Sequence, residues 1–315
     1  LCPLWFRFPQ VFCAAEYLGA LIGRGAGRSQ IRSTSSRGAT KVPDPNALID
    51  LIMAGYGWDI SVYDTAFLRR AVDKRLAATG SGPEAYLQRL SRDAAEAEVL
   101  YRSLNVTYSA FFRNPVSFAL LEHAILPSLA QLRESTGRLE VRVWSAGCAA
   151  GQEAYSVAIL LEDLAASLRR AVPFRIFATD HQEAELAAAR QGTFQEAALQ
   201  QVRLRHIQSY FTRHGDTYTI ASGLKKHIDF SSHDLLDAHT TCPPASIYGD
   251  FDLILCCNVL YYYRPDLRRC ILSKLNSCLA PHGYLVTDEA ERAIVEESGS
   301  LGMLDWPAAV FCHRR

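Results

Sequence analysis

Two carboxylates and a glycine turn stand where a ligand could be held. In VRVWSAGCAAGQEAYSVAILLEDL, residues 141–164, an apolar run passes through Gly147 and Gly151 into an amphipathic stretch headed by Glu153. Glycines there would let the backbone approach a ligand closely. The segment lacks the Lys-Ser/Thr pair of a phosphate-binding loop. A carboxylate at the helix start repels a pyrophosphate and suits a cationic or hydroxyl-bearing ligand. The second apolar run, FRIFATD, ends on Asp180. An acid at that tip can accept hydrogen bonds from both hydroxyls of a ribose. Each feature also has a purely structural explanation: the glycine turn as a packing device, and Asp180 as an N-cap for the helix beginning near Glu183.

The elements that would position these residues follow from hydrophobic period. Strand-like runs at 139–146, 174–179, 227–232, 251–257 and 284–287 alternate with helical stretches from near Glu153, at 183–190, and over RPDLRRCILSKLNSCLAPHG, which reads as ending at Pro281 and Gly283. Alternation of this kind makes βαβ units and a mostly parallel sheet, with its ligand at the carboxyl ends of the strands. YFTRHGDTYTI, residues 210–220, reads as a hairpin, part of a small β insertion near 205–226. Residues 44–115 carry helical periods only. TAFLRRAVDKRLAATG places Leu68, Val72 and Leu76 on one stripe, with Arg69, Arg70, Lys74 and Arg75 between them, and stops at Gly80.

Composition limits the classes of function. The 315 residues carry 33 Lys and Arg against 33 Asp and Glu, a formal charge of zero, which argues against a general nucleic-acid binder. Nine cysteines with no C-x-x-C pair fit reduced thiols in a cytosolic protein and give no metal site. The first 23 residues are apolar but broken by Pro3, Arg7, Pro9 and Glu16, so they fail as a membrane span. Residues 1–43 are expected to be a disordered or artefactual extension, although Arg, Ser and Gly over 23–41 also match a transit peptide.

At this point six ordered segments resemble one family. WSAGCAAGQEAYSVA is similar to the first cofactor motif of CheR-type methyltransferases, which methyl-esterify glutamates of chemotaxis receptors. NVTYSAFFRNPVSF resembles that family's Thr-x-Phe-Phe-Arg segment, FATDHQEAELAAARQGTF its second-strand motif, and FDLILCCNVLYYY its Asn-Val-x-x-Tyr-Phe motif. HIDFSSHDLLD matches the segment before that strand, and YDTAFLRRAVDKRL the basic helix of the N-terminal domain. The resemblance covers about 45–315.

The resemblance implies an α/β fold: a Rossmann-like seven-strand S-adenosylmethionine-dependent methyltransferase sheet over 116–315, preceded by a small all-α substrate-docking domain over 44–115. Its last two strands would fall after 292. S-adenosylmethionine, leaving as S-adenosylhomocysteine, would lie against Thr107, Ser109, Arg113, Gly147, Glu153, Asp180, Asp234, Leu235, Asn258 and Val259. Asp180 would take the ribose. Arg113 and Tyr262 would be the catalytic pair beside the methyl group, and no metal is implied. Arg69, Arg70, Lys74 and Arg75 would dock an acidic, chemoreceptor-like helical protein; the enzyme would be a cytoplasmic monomer with no nucleic-acid partner and no membrane insertion.

A glutamate carboxylate is ionised at neutral pH, so methyl transfer to it needs alignment and desolvation rather than a general base. The chain departs from the family pattern at Cys257 (usually Arg), Ala154 (Pro), Gln152 (an acid), Asp234 (often Asn) and Arg264-Pro265. These changes keep two alternatives open: a methyltransferase acting on another nucleophile, and a cofactor-binding signalling module with little activity.

Overall fold

The computed structural model describes residues 43–314 apart from Leu139 and Ile247; the extension expected over 1–43 lies, but for Pro43, outside them. Asp44 opens the first helix, α1 (Pro45–Tyr56): its side chain accepts the Asn46 N–H, and Pro45 occupies the first turn, where its missing donor costs nothing. Helix α2 (Thr65–Thr79) begins on Asp64, whose Oδ1 accepts from the N–H groups of Ala66 and Phe67, and stops at Gly80, φ 65°. Helices α3 (Pro83–Leu90) and α4 (Ala94–Leu104) follow. The inner faces of these four helices make a core of their own, with Ile52, Leu68, Val72, Tyr86, Leu90 and Leu100 buried. One charge is buried with them. Glu96 is 4% exposed and receives Arg75 through Nε at 2.8 Å and Nη2 at 2.7 Å, and the Tyr86 hydroxyl at 2.8 Å.

The chain then passes through α5 (Pro115–Leu120), a π-helical turn and α6 (Leu126–Ser135) into the sheet. Strand β1 (Val141–Ala146) leads to α7 (Gln152–Leu168), β2 (Phe174–Asp180) and α8 (Glu183–Gln191). A short β3 (Thr193–Gln195), α9 (Leu204–Tyr210), β4 (Phe211–His214), β5 (Thr217–Ile220) and α10 (Ser222–Lys225) intervene before β6 (Ile228–Ser232). Strand β7 (Phe251–Cys256), α11 (Pro265–Cys278), β8 (Leu279–Thr287), α12 (Arg292–Ser298), β9 (Leu301–Met303) and β10 (Val310–His313) complete the chain. The main sheet has seven strands in the order β6-β2-β1-β7-β8-β10-β9, parallel but for β10, which runs antiparallel to both its neighbours. The order reverses at β1, with β2 on one side and β7 on the other. A doubly wound sheet opens its ligand crevice at such a reversal, beyond the carboxyl ends of the strands.

Two readings differ from the sequence: where the eleventh helix ends and how far the β insertion extends. The eleventh helix stops at Cys278, not at Pro281 and Gly283, because Leu279 already pairs with Phe251 in the parallel ladder. A Cβ on Gly283 would stand 2.7 Å from the Phe251 carbonyl oxygen, so this glycine allows two backbones to meet rather than ending a helix. Pro281 is tolerated because the β7–β8 register is irregular between Phe251 and Leu253. The hairpin at Gly215 belongs to a three-stranded sheet, β3-β5-β4, whose third strand lies outside 205–226. Three residues carry too little period to be seen.

At the far, amino-terminal edge of the main sheet, Arg133 and Asp252 form a buried pair, Nε to Oδ1 at 2.6 Å, and Asp252 Oδ2 also accepts the Arg142 N–H at 2.9 Å. Burial raises the Asp252 carboxyl pKa and the arginine opposes it. Arg133→Ala strands that carboxylate, so it should lower unfolding stability by about 3–5 kcal/mol, read from urea melts.

Candidate active site

At the end of β1 the chain turns over Gly147, φ 78°. A side chain is excluded there twice: by the left-handed backbone, and by Val259, whose Cγ2 lies 2.6 Å from where a Cβ would sit. The N–H groups of Gly147 and Cys148 donate to the Thr179 carbonyl at 2.8 and 2.9 Å, tying this turn to the end of β2. Gly151, φ 88°, has a different task. A Cβ there would meet Ala189 and Phe230 at 3.0 Å, so it is the packing glycine, while Gly147 faces the cleft.

Asp180 closes the second strand and faces the same turn. Its Oδ2 accepts the Ala149 N–H at 2.9 Å and its Oδ1 the Gln182 N–H at 3.0 Å. The N-cap position of α8 falls on Gln182, so capping that helix is not what Asp180 does. Two backbone donors use only part of a carboxylate's acceptor capacity and leave lone pairs for a ligand.

Glu153, in the first turn of α7, accepts the Ser145 hydroxyl at 2.6 Å. Burial pushes its carboxyl up to about 7, and the Glu291 carboxyl adds to that; hydrogen bonds from Ser145 and Cys257 and the charge of Arg113 pull the other way. Burial and Glu153 together hold the Cys257 thiol well above its ordinary pKa. A neutral thiol, not a cation, therefore lies against Glu153.

The loop after β7 forms the opposite wall. Asn258 takes a left-handed φ of 63° and aims Val259 at Gly147. Arg113 and Tyr262 also line the cleft. Arg113 donates to the Tyr108 carbonyl at 2.9 Å and lies over the Tyr108 ring, 5.0 Å from its centroid. It makes no ion pair among the described residues, so it is not a salt bridge between the helical segment and the sheet. The Tyr262 hydroxyl accepts from Tyr261 at 3.0 Å, its ring meets Phe67 edge-on at 4.9 Å, and burial first, then Tyr261, raises its pKa. Tyr262 thus stays protonated and keeps its own O–H to donate.

This loop is also where α2 touches the sheet. The Asp64 N–H donates to the Tyr262 carbonyl at 2.7 Å, the Arg264 N–H donates to the Val62 carbonyl at 3.1 Å, and Arg268 donates to Asp64 Oδ2 at 3.0 Å. The rings of Tyr63 and Tyr263 stack at 6.1 Å and 7°. The residue that caps the basic helix is therefore hydrogen-bonded to the residue carrying the proposed catalytic phenol.

One cleft of about 1210 Å³, its open mouth included, is lined by Thr107, Ser109, Arg113, Gly147, Glu153, Asp180, Asp234, Leu235, Asn258, Val259 and Tyr262. Every cofactor-side residue expected from the sequence lies on it. The docking residues divide. Arg69, Arg70 and Lys74 are exposed on α2, whereas Arg75 turns inward to Glu96 and is not free for a partner. Sequence reasoning missed Tyr63 and His233, which also line the cleft, and Glu291 behind it. Asp288-x-x-Glu291 is a capping-box spacing and was the available signal for the last.

Residues 107–307 match the model of the CheR methyltransferase family, SAM-binding domain. The chain belongs to that family. A chemotaxis protein methyltransferase of Listeria innocua is 30% identical over 243 residues, 76% of this chain and 86% of that protein. The chemotaxis protein methyltransferase of Escherichia coli is 30% identical over 223 residues, 69% of this chain and 72% of the other. An uncharacterized 104.1 kDa protein of Rhodobacter capsulatus is 31% identical over 245 residues; the match takes in 77% of this chain but only 24% of that one.

The residues present fit S-adenosylmethionine. The cleft sets two carboxylates, Glu153 and Asp180, around a turn with no Cβ, and a cationic, ribose-bearing ligand needs such partners. Gly147→Ala should cost at least a tenfold loss in affinity for S-adenosylhomocysteine, measured by calorimetry, because relief of the Val259 contact must move the cleft wall.

Proposed function

We propose that this CheR-family enzyme methyl-esterifies glutamate side chains on chemoreceptor-like helical signalling proteins, acting in the cytoplasm as a monomer. The observation that carries this reading is the direct connection between the exposed basic face of α2 and the Tyr262 loop. A partner helix bearing acidic residues would meet Arg69, Arg70 and Lys74, and the docked surface would continue to the cleft mouth at Arg113 and Tyr262. No helix among the described residues is long and apolar enough to cross a membrane.

The chemistry asked of the chain is modest. Bound S-adenosylmethionine supplies an electrophilic methyl group. Glu153 and Asp180 would hold the cofactor's polar edge, Asp180 toward the ribose, while Asp234, Leu235, Asn258 and Val259 would form the wall for the base. Thr107 and Ser109 close the side next to the linker. The substrate carboxylate needs no proton removed, since its unperturbed pKa is about 4.3. Arg113 leaves its stack on Tyr108 to orient that carboxylate, and the protonated Tyr262 packs beside it. A glutamine amide, a far poorer nucleophile, should not react.

Methyl-labelled S-adenosylmethionine, incubated with the protein and chemoreceptor-containing membranes, should give label that mild base releases as methanol. Arg113→Ala should lose at least tenfold in rate. Base-stable label would replace the glutamate with another nucleophile. Binding of S-adenosylhomocysteine without any transfer would favour the non-catalytic module.

Glu153 adds a pH dependence. Its carboxyl sits at about 7 in the free cleft, above the unfolded value of 4.5, so the protonated form is favoured there as pH falls. A cationic ligand favours the ionised form. Binding at or below about pH 7 should therefore release a proton, and affinity should rise with pH from roughly 6 to 8 and then level off. Calorimetry in two buffers of different ionisation enthalpy reads that proton, and Glu153→Gln should abolish its release.

A further inference from the structure

Glu291 has no surface in contact with solvent and lines no part of the cleft, although its charge bears on Glu153. It nevertheless accepts four backbone N–H groups. Oε1 receives those of Val259 and Leu260, both at 2.7 Å, and Oε2 receives those of Asn258 at 2.9 Å and Asp288 at 3.1 Å. Three of the four belong to consecutive residues of the loop after β7, where no strand or helix could supply acceptors. The loop needs such an anchor. Asn258 stands at φ 63°, a conformation that costs free energy for a residue with a Cβ, and Val259 is pressed toward the bare Cα of Gly147. Three residues after Val259, the same segment carries Tyr262 and the bond from Asp64.

We propose that Glu291 is the positioning residue of this enzyme: its carboxylate holds the 258–262 segment in the one conformation that both walls the cofactor cleft and presents Tyr262 to the acceptor. Burial raises the Glu291 pKa and the four N–H groups, which favour the anion, oppose it; only a carboxylate satisfies all four. Four donors converge on its two oxygens, and an amide would turn its own N–H groups against two of them. Aspartate keeps the charge but falls one methylene short. The geometry places Glu291 behind the loop and off the lining of the cleft, so its effect is transmitted through Asn258, Val259 and Tyr262. The kinetic part of the inference rests on the methyltransferase reading; the structural part does not.

Amide hydrogen exchange on the wild-type chain tests the structural part without any substrate. The Val259 and Leu260 amides should be protected to the level of β7 although they lie in a loop; exchange at the rate of an open loop would overturn the proposal. For the kinetic part, Glu291→Gln should lose at least tenfold in affinity for S-adenosylhomocysteine and, at saturating cofactor, at least tenfold in kcat. Glu291→Asp should recover part of both. Arg133→Met, which breaks a buried pair at the opposite edge of the sheet, should lose stability while the folded fraction keeps its kcat and affinity. A folded Glu291→Gln with affinity and kcat within twofold of wild type would overturn the positioning role. If the glutamate substrate itself is wrong, the exchange and affinity measurements still decide the matter.

Discussion

The site depends on backbone N–H groups that the sheet cannot satisfy. Beyond the last residues of β1, β2 and β7 the ladder ends, and the turns that must wall a ligand carry donors with no strand partner. Buried donors left unpaired cost about 1–3 kcal/mol each. Two carboxylates meet this demand on the two sides of the reversal in strand order: Asp180 for the turn after β1, Glu291 for the loop after β7. Each therefore fixes one wall of the cleft. The same electrostatics that order the empty protein also make the cleft acidic, and an acidic, desolvated cleft favours a cationic ligand. Fold and cofactor preference are in this sense one property.

The helical segment adds the second constraint. Its core is separate from that of the sheet, yet its α2 begins on Asp64, whose main chain and side chain both bond to the segment between Tyr261 and Arg268. A helix whose N-terminus is fixed to the cleft mouth has a fixed direction. Its exposed cations therefore stand at a set distance from the cleft, which a surface patch on a loose tether would not. Arg75 contributes differently, by neutralising the buried Glu96 on which α2, α3 and α4 converge.

Much of this was legible in the sequence because it repeats with a simple period or ends with a residue of special conformation. The alternation of apolar runs and helices located five of the six parallel strands, and Gly80 marked the end of α2. Position 75 could have been read as inward, since it stands three after Val72 and seven after Leu68, on the apolar stripe. What stayed hidden was non-local. The bond between Asp64 and Tyr262 joins residues about two hundred positions apart, and no local pattern announces it. Pro281 and Gly283 looked like a helix stop because that is their commonest use; strand pairing with Phe251 overrode it. Glu291 sat in a run of acids, where nothing but the capping-box spacing distinguishes a buried anion from a solvated one.

Asp180 anchors two backbone N–H groups and also faces the cleft, where it is assigned to the ligand. Titration of S-adenosylhomocysteine into wild type and Asp180→Asn, followed by calorimetry, tests it most directly. Hydrogen bonds to a charged acceptor contribute about 1.5–3 kcal/mol each, so loss of the anion facing a ribose should weaken binding by roughly 100-fold while the variant stays folded. Equal affinity in the two proteins would contradict the account, leaving Asp180 as an anchor for Ala149 and Gln182 alone.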